Sequence, residues 1–214
     1  MTAQHLCIAL LGAECTGKTS LQHALLHSGV LQAERTQLVG EYLRQWCDTH
    51  QRLPRGPEQT HIALTQQERI QHALRTHHVV TDTTALMTAI YSDVILGDDS
   101  LYPLALAWQR AMPVTLVLAT DLPWQADGIQ RDGREMQQRI DRRLREVLAQ
   151  AGIPFSVVRG QGLERTTQAV LAIRRALEPV QNASPALDLW HRCENCSHPE
   201  GERALFRALL APTA

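Results

Sequence analysis

The octapeptide Gly12-Ala13-Glu14-Cys15-Thr16-Gly17-Lys18-Thr19 satisfies the phosphate-loop pattern G-x-x-x-x-G-K-[ST] at every fixed position. The pattern works only between a strand and a helix. The flanking residues supply both: the apolar run from His5 to Leu11 reads as a buried strand, and Ser20 to Leu26 has helical spacing. The glycines let the backbone turn so that successive N–H groups face one concavity at the positive end of a helix dipole. Gly12, Ala13, Glu14, Cys15, Thr16, Gly17, Lys18, Thr19 and Ser20 are therefore candidate contacts for a nucleoside triphosphate. Lys18 reaches the outer phosphates and the Thr19 hydroxyl is suited to ligating Mg²⁺. The G-protein base-reading signature Asn/Thr-Lys-x-Asp is absent, which favours ATP over GTP as the donor.

The chain has 214 residues, enough for one α/β domain and some additions. With 44% hydrophobic residues it can build a sizeable core, and a net charge of -1 argues against general nucleic-acid affinity, so small-molecule partners are expected. The sequence shows neither an apolar run of membrane-spanning length nor a signal-peptide pattern, and a cytoplasmic location is expected. Five cysteines, an odd number, do not suggest a disulfide framework.

Beyond the first helix, Thr36 to Val39 is expected as a short strand, and Glu41-Tyr42-Leu-Arg44-Gln-Trp46 as the start of a second helix. Its acidic, basic and aromatic side chains at one-turn spacing suit a pocket for a polar ring system, or else an ordinary amphipathic helix. Residues 48 to 57 read as a loop and Pro57 to Arg75 as a long helix, with Gln59 and Gln66 either facing an acceptor or solvated. His78-Val-Val-Thr-Asp82 is a β-branched run ending in a carboxylate. Ligands bind at that end of a parallel strand. Asp82 can orient Mg²⁺ or accept the proton of an attacking hydroxyl, or it can cap the helix expected over Ala85 to Leu96.

Another helix is expected from Leu104, and Met112 to Leu118 forms a third strand. That strand runs into a loop holding Trp124 and Asp127. Trp124 can stack on a ring or anchor the loop, and Asp127 can bind ribose hydroxyls or metal. Arg131 and Arg134 lie just beyond, where a lid supplies cations to a migrating phosphoryl group, while Arg142 and Arg143 read as surface residues. A last strand, Pro154 to Val158, and a helix, Arg165 to Leu177, complete the alternation. Residues 1–178 are expected as a kinase domain and 179–214 as a linker and tail. In the tail His191, Cys193, Cys196 and His198 offer a structural zinc site or reduced surface cysteines.

Taken in order, GAECTGKTSL, EYLRQW, VVTDTT and TDLPWQADGIQRDG resemble the ribosylnicotinamide kinase domain of the NadR family over about residues 5–177. The resemblance implies a three-layer α/β P-loop NTPase fold, a mostly parallel sheet flanked by helices. It assigns Lys18 and Thr19 to phosphates and magnesium, and Asp82 to metal orientation or base catalysis. Glu41, Tyr42, Arg44, Trp124 and Asp127 become acceptor contacts. The family's Asp-Thr-Asp ends in Thr84 here, and Gly40 stands before Glu41, where an aromatic residue is sometimes found. No H-x-G-H adenylyltransferase signature precedes the phosphate loop, so kinase activity alone is expected.

The expected activity is ATP- and Mg²⁺-dependent phosphorylation of a nucleoside hydroxyl, that of nicotinamide riboside first. The partner is then a small-molecule nucleoside, without nucleic acid or membrane, and a homo-oligomer is compatible with all of these features. A regulatory ATPase acting on a protein partner is the alternative, and so is a kinase for a different nucleoside.

Overall fold

The computed structural model describes residues 5–123 and 133–178. Trp124, Asp127, Arg131 and the four tail residues His191, Cys193, Cys196 and His198 lie outside the described residues.

Among the described residues five strands form one sheet in the order β2-β3-β1-β4-β5, and every pairing is parallel. They are β1 (Cys7–Leu11), β2 (Thr36–Val39), β3 (His78–Asp82), β4 (Val114–Leu118) and β5 (Ser156–Val158). The helices are α1 (Lys18–Leu26), α2 (Tyr42–His50), α3 (Gly56–Leu74), α4 (Ala85–Tyr91), α5 (Tyr102–Arg110), α6 (Gly133–Gln150) and α7 (Gly162–Leu177).

A central parallel strand must be apolar on both faces. The five residues of β1 are all buried and alternate in direction. Cys7, Ala9 and Leu11 join one core with residues of α3, α4, α5 and α6, and Ile8 and Leu10 join the other with Leu21 and Leu25 of α1 and Ala169 and Ile173 of α7. Full burial of a side chain such as Leu10 or Leu116 contributes about 1.5–3 kcal/mol before chain entropy is subtracted. Burial also pushes the Cys7 thiol up to about 12, which makes it an inert core residue. Helix α2 packs on α3 through a smaller cluster of Trp46, Cys47 and Ile62.

From β1 the chain moves outward to β2 and β3 on one side, then crosses to β4 and β5 on the other. Connections leaving β1's neighbourhood in opposite directions open a crevice at the carboxyl ends of the strands. The phosphate loop follows β1 directly into that crevice.

The helix expected over Ala85 to Leu96 is α4 followed by a π-helical turn, Ser92–Leu96, ended by Gly97 at φ 70°. The wider turn moves Ile95 and Leu96 off the buried stripe of α4, and they are 42% and 45% exposed. Arg143, expected at the surface and a third exposed, donates from Nε to Asp93 in this turn at 2.7 Å, while its guanidinium lies over the Tyr102 ring. Among the described residues no helix is long and apolar enough to cross a membrane.

Candidate active site

Three positive φ values shape the phosphate loop: 153° at Gly12, 57° at Cys15 and 77° at Gly17. A Cβ at Gly12 would lie 2.9 Å from Thr16 Oγ1 and 3.1 Å from the Leu118 carbonyl oxygen, in a backbone conformation that L-residues rarely adopt. Gly12→Ala is therefore expected to lower stability by about 1–3 kcal/mol, measurable as a fall in the chemical-denaturation midpoint. Thr16 Oγ1 donates to the Ala13 carbonyl at 2.8 Å and closes the loop on itself. Gly17 caps α1 without a side-chain hydrogen bond, so no side chain competes for the first N–H groups of the helix. Lys18 is 8% exposed, and its Nζ donates to the carbonyls of Gly12 at 2.8 Å and Ala13 at 3.0 Å.

Asp82 pairs with Leu10 at the end of the β3 ladder, one strand from the start of the loop. The Thr19 hydroxyl donates to Asp82 Oδ2 at 2.5 Å, whereas Oδ1 is buried and has no protein partner. A carboxylate oxygen stripped of water and partner is costly, and a cation or ordered water offsets that cost. The Thr19–Asp82 pair thus has the donor chemistry and the open coordination that Mg²⁺ uses. Capping of α4 falls to Thr84 instead, whose hydroxyl accepts from Leu86 N at 3.3 Å and donates to Gln109 at 2.8 Å. Thr84 is consequently part of the sheet–α5 packing and does not reach the crevice, which leaves Asp82 uncommitted to the helix.

On one side of Lys18 lies a pocket of about 110 Å³ that opens to solvent. Its polar lining is Glu14, Lys18, Glu41, Arg44, Gln59 and Tyr91; Leu43, Leu53, Pro54, Ile95, Leu96 and Met136 form the apolar wall. The mix of apolar wall and a few polar groups suits a small organic molecule. The π-helical turn supplies Ile95 and Leu96. The Glu41 side chain is 11% exposed, and burial raises its pKa against the opposing pull of Lys18. Arg44, half exposed, stands 3.8 Å from Glu41. The Tyr91 hydroxyl donates to Glu14 Oε2 at 2.9 Å, and burial together with the Glu14 charge pushes the phenol well above its usual range.

Two aromatic residues expected at this pocket point elsewhere. The Tyr42 ring meets His61 edge-on, with Arg69 over it at 4.3 Å. Trp46 is 6% exposed and stacks on His50 at 4.0 Å, beneath Arg52. Both fix α2 to its surroundings, because the face carrying Glu41 and Arg44 is the one turned to the pocket. Gln66 is buried as well: it accepts from Tyr42 N at 2.8 Å and donates to Gly40 O, holding the α2 entry against α3. Arg134 is exposed at the start of α6 and does not line the pocket. From the same helix the buried Gln137 donates to the Glu14 carbonyl at 2.8 Å, a phosphate-loop contact that the helical pattern of the sequence did not reveal.

A second cleft opens on the other side of the loop, lined by Gly17, Ser20, Ala24, Leu122, Gly162 and Leu163 among others. Leu163 is 80% exposed there. Arg165, taken from its sequence as an ordinary helix residue, is 4% exposed at the floor of this cleft. Burial lowers its pKa, and Asp121 beside it acts in the opposite direction. Among the described residues no group of three or more His, Cys, Asp or Glu side chains is arranged to hold a metal ion.

Solved structures share this fold. The structure of NadR protein in complex with NAD and AMP-PNP matches with a TM-score of 0.65 at 18% identity, over 81% of this chain and 49% of that one. NadR protein in complex with NR matches with a TM-score of 0.63 at 20% identity, over 81% and 52%. The chain thus spans about half the length of the NadR structures it matches. Thymidylate kinase from Ehrlichia chaffeensis matches with a TM-score of 0.56 at 15% identity, over 81% of this chain and 99% of its own. No curated protein matches. The family model described as an AAA domain matches residues 7–165, from β1 through the phosphate loop and the sheet to Arg165, and the chain belongs to that family.

Proposed function

We propose that the protein is an ATP-dependent kinase that phosphorylates a hydroxyl of a nucleoside-type acceptor, with nicotinamide riboside as the first candidate. The observation that carries this reading is the placement of two recesses on opposite sides of one phosphate loop, with Lys18 lining one and its neighbour Gly17 lining the other. A hydrolase acting on water needs no second organic pocket. The NadR structures with AMP-PNP and with NR, and the thymidylate kinase structure, support the reading at the level of fold.

In the proposed reaction the donor base lies in the Leu122–Leu163 cleft and the phosphates lie over the N–H groups of the loop and α1. The acceptor hydroxyl enters beside Glu41. Its oxygen forms a bond to the γ-phosphorus as the bond from that phosphorus to the β–γ bridging oxygen breaks. The hydroxyl proton passes to the Glu41 carboxylate, and the bridging oxygen leaves on ADP. Lys18 exchanges its contacts with Gly12 and Ala13 for phosphate oxygens and stabilises the charge that develops there. Thr19 and Asp82 would hold Mg²⁺, which supplies charge neutralisation of the phosphate oxygens when bound. Asp82 does not line the acceptor pocket, whereas Glu41 does, so the base role goes to Glu41 and the metal role to Asp82.

Nearness and orientation in two fixed recesses account for much of the rate of such a transfer. The reading is tested by assaying ADP formation with a panel of nucleosides, nicotinamide riboside among them. The expected result is turnover that depends on one nucleoside. Hydrolysis of ATP at one rate whatever nucleoside is added would falsify it and favour the regulatory ATPase.

A further inference from the structure

Arg165 occupies the first turn of α7 and joins three segments of chain at the carboxyl edge of the sheet. Its Nε donates to the Gly160 carbonyl at 2.7 Å and its Nη1 to the Thr16 carbonyl of the phosphate loop at 2.5 Å. Nη2 donates to the Ala119 carbonyl at 3.5 Å and pairs with the Asp121 carboxylate. The other oxygen of Asp121 accepts the Gly160 N–H at 2.8 Å. One buried guanidinium therefore bonds to the loop that cradles phosphates, to the end of β4, and to the segment after β5 that leads into Gly162 and Leu163. Leu122, next to Asp121, approaches Gly17 so closely that a Cβ there would lie 3.0 Å from its Cδ1.

A buried guanidinium–carboxylate pair is weak evidence for stability, because desolvation offsets most of its Coulombic gain. Its geometric consequence is stronger, since a planar fork fixes angles as well as distances. We infer that the Arg165–Asp121 clasp is a positioning device for the donor nucleotide: it sets the separation between the phosphate loop and the Leu122–Leu163 cleft, so that triphosphate and base are held together. This rests on the donor half of the proposed function and is independent of the acceptor. Arg165 acts through Thr16, Gly160 and Asp121 and is not a catalytic residue.

The test compares the Mg²⁺ complexes of ATP and inorganic tripolyphosphate as ligands of the full-length protein, by calorimetry. Tripolyphosphate reports the phosphate loop alone; the ratio of the two dissociation constants reports what the nucleoside adds. In Arg165→Met, ATP is expected to weaken about tenfold while tripolyphosphate stays within about twofold, since the loss falls on alignment of the two parts. Arg165→Lys should recover part of the ratio. Asp121→Asn, whose side chain is a third exposed and is therefore unlike a core substitution, should shift the ratio in the same direction. The double variant should be no worse than Arg165→Met, as members of one unit are not additive. A parallel loss of both ligands in folded variants indicates a merely structural pair and overturns the inference, as does an unchanged ratio. If the wild-type protein binds neither ligand, the donor reading itself fails.

Discussion

Lys18→Ala is expected to lower kcat by about a thousandfold or more, because the positive charge that stabilises the migrating phosphoryl group is lost. The fold should persist. Lys18 makes its two hydrogen bonds to the Gly12 and Ala13 carbonyls of a surface crevice that water can enter, and the loop keeps the Thr16–Ala13 bond and its three positive-φ turns. Steady-state kinetics beside far-UV circular dichroism separate the two effects. Lys18→Arg should recover little, since a planar fork does not reproduce a compact ammonium in a loop this tight. Turnover in the alanine variant within tenfold of the wild type would remove Lys18 from the mechanism.

Glu41→Gln carries the second large effect, a fall in kcat of about 10²–10⁴-fold with a small change in KM for the acceptor, as expected for loss of a general base that still leaves a hydrogen-bonding amide. Its stability consequence has the opposite sign. Burial raises the Glu41 pKa in the folded protein, so between the unfolded and folded values the folded state holds the proton more firmly. Stability from this group is present below the unfolded pKa and declines as pH rises through the window up to the folded pKa. Above it the wild type keeps a buried charge at a cost that the glutamine variant lacks. The variant should therefore melt higher than the wild type at neutral pH and lose that advantage in acid. The Arg44 contact, long and half exposed, offsets little of this. In the same variant the acid limb of the kcat profile, where activity rises with pH as Glu41 ionises, should disappear. A melting temperature that falls at neutral pH, with the acid limb intact, would assign Glu41 to structure instead.

The phosphate loop, its strand and its helix are legible in the sequence because every constraint there is local: glycines at fixed spacing, an apolar run before and helical periodicity after. Asp82 is legible for the same reason, since a carboxylate ending a β-branched run sits at a ligand edge in any parallel sheet. The acceptor side was only half visible. Glu41 and Arg44 face the pocket, yet Tyr42 and Trp46 in the same helix face away, Tyr42 held by His61 and Arg69 of α3, which no local pattern identifies, and Trp46 by His50 and Arg52. Gln59 and Gln66 read equally as pocket residues or solvated ones: Gln59 lines the pocket, while Gln66 is buried at the α2 entry, where it accepts from Tyr42 N. Arg165 carries no local signal at all. Its partners Thr16, Ala119, Asp121 and Gly160 meet only when β1, β4 and β5 lie side by side.

The π-helical turn after α4 has a consequence for how such a pocket diverges between relatives. One extra residue in a helical turn rotates everything after it by about 100°. Ile95 and Leu96 thus line the pocket by virtue of register rather than of their identity, and Gly97 then stops the helix before the register can drift back. A single-codon deletion between Ser92 and Leu96 would turn this wall away from the crevice while leaving the phosphate loop, Asp82 and the sheet untouched. The lining of this pocket is therefore open to change by indels as well as by substitution, and an alignment scored on matched positions alone will misplace the residues that form it.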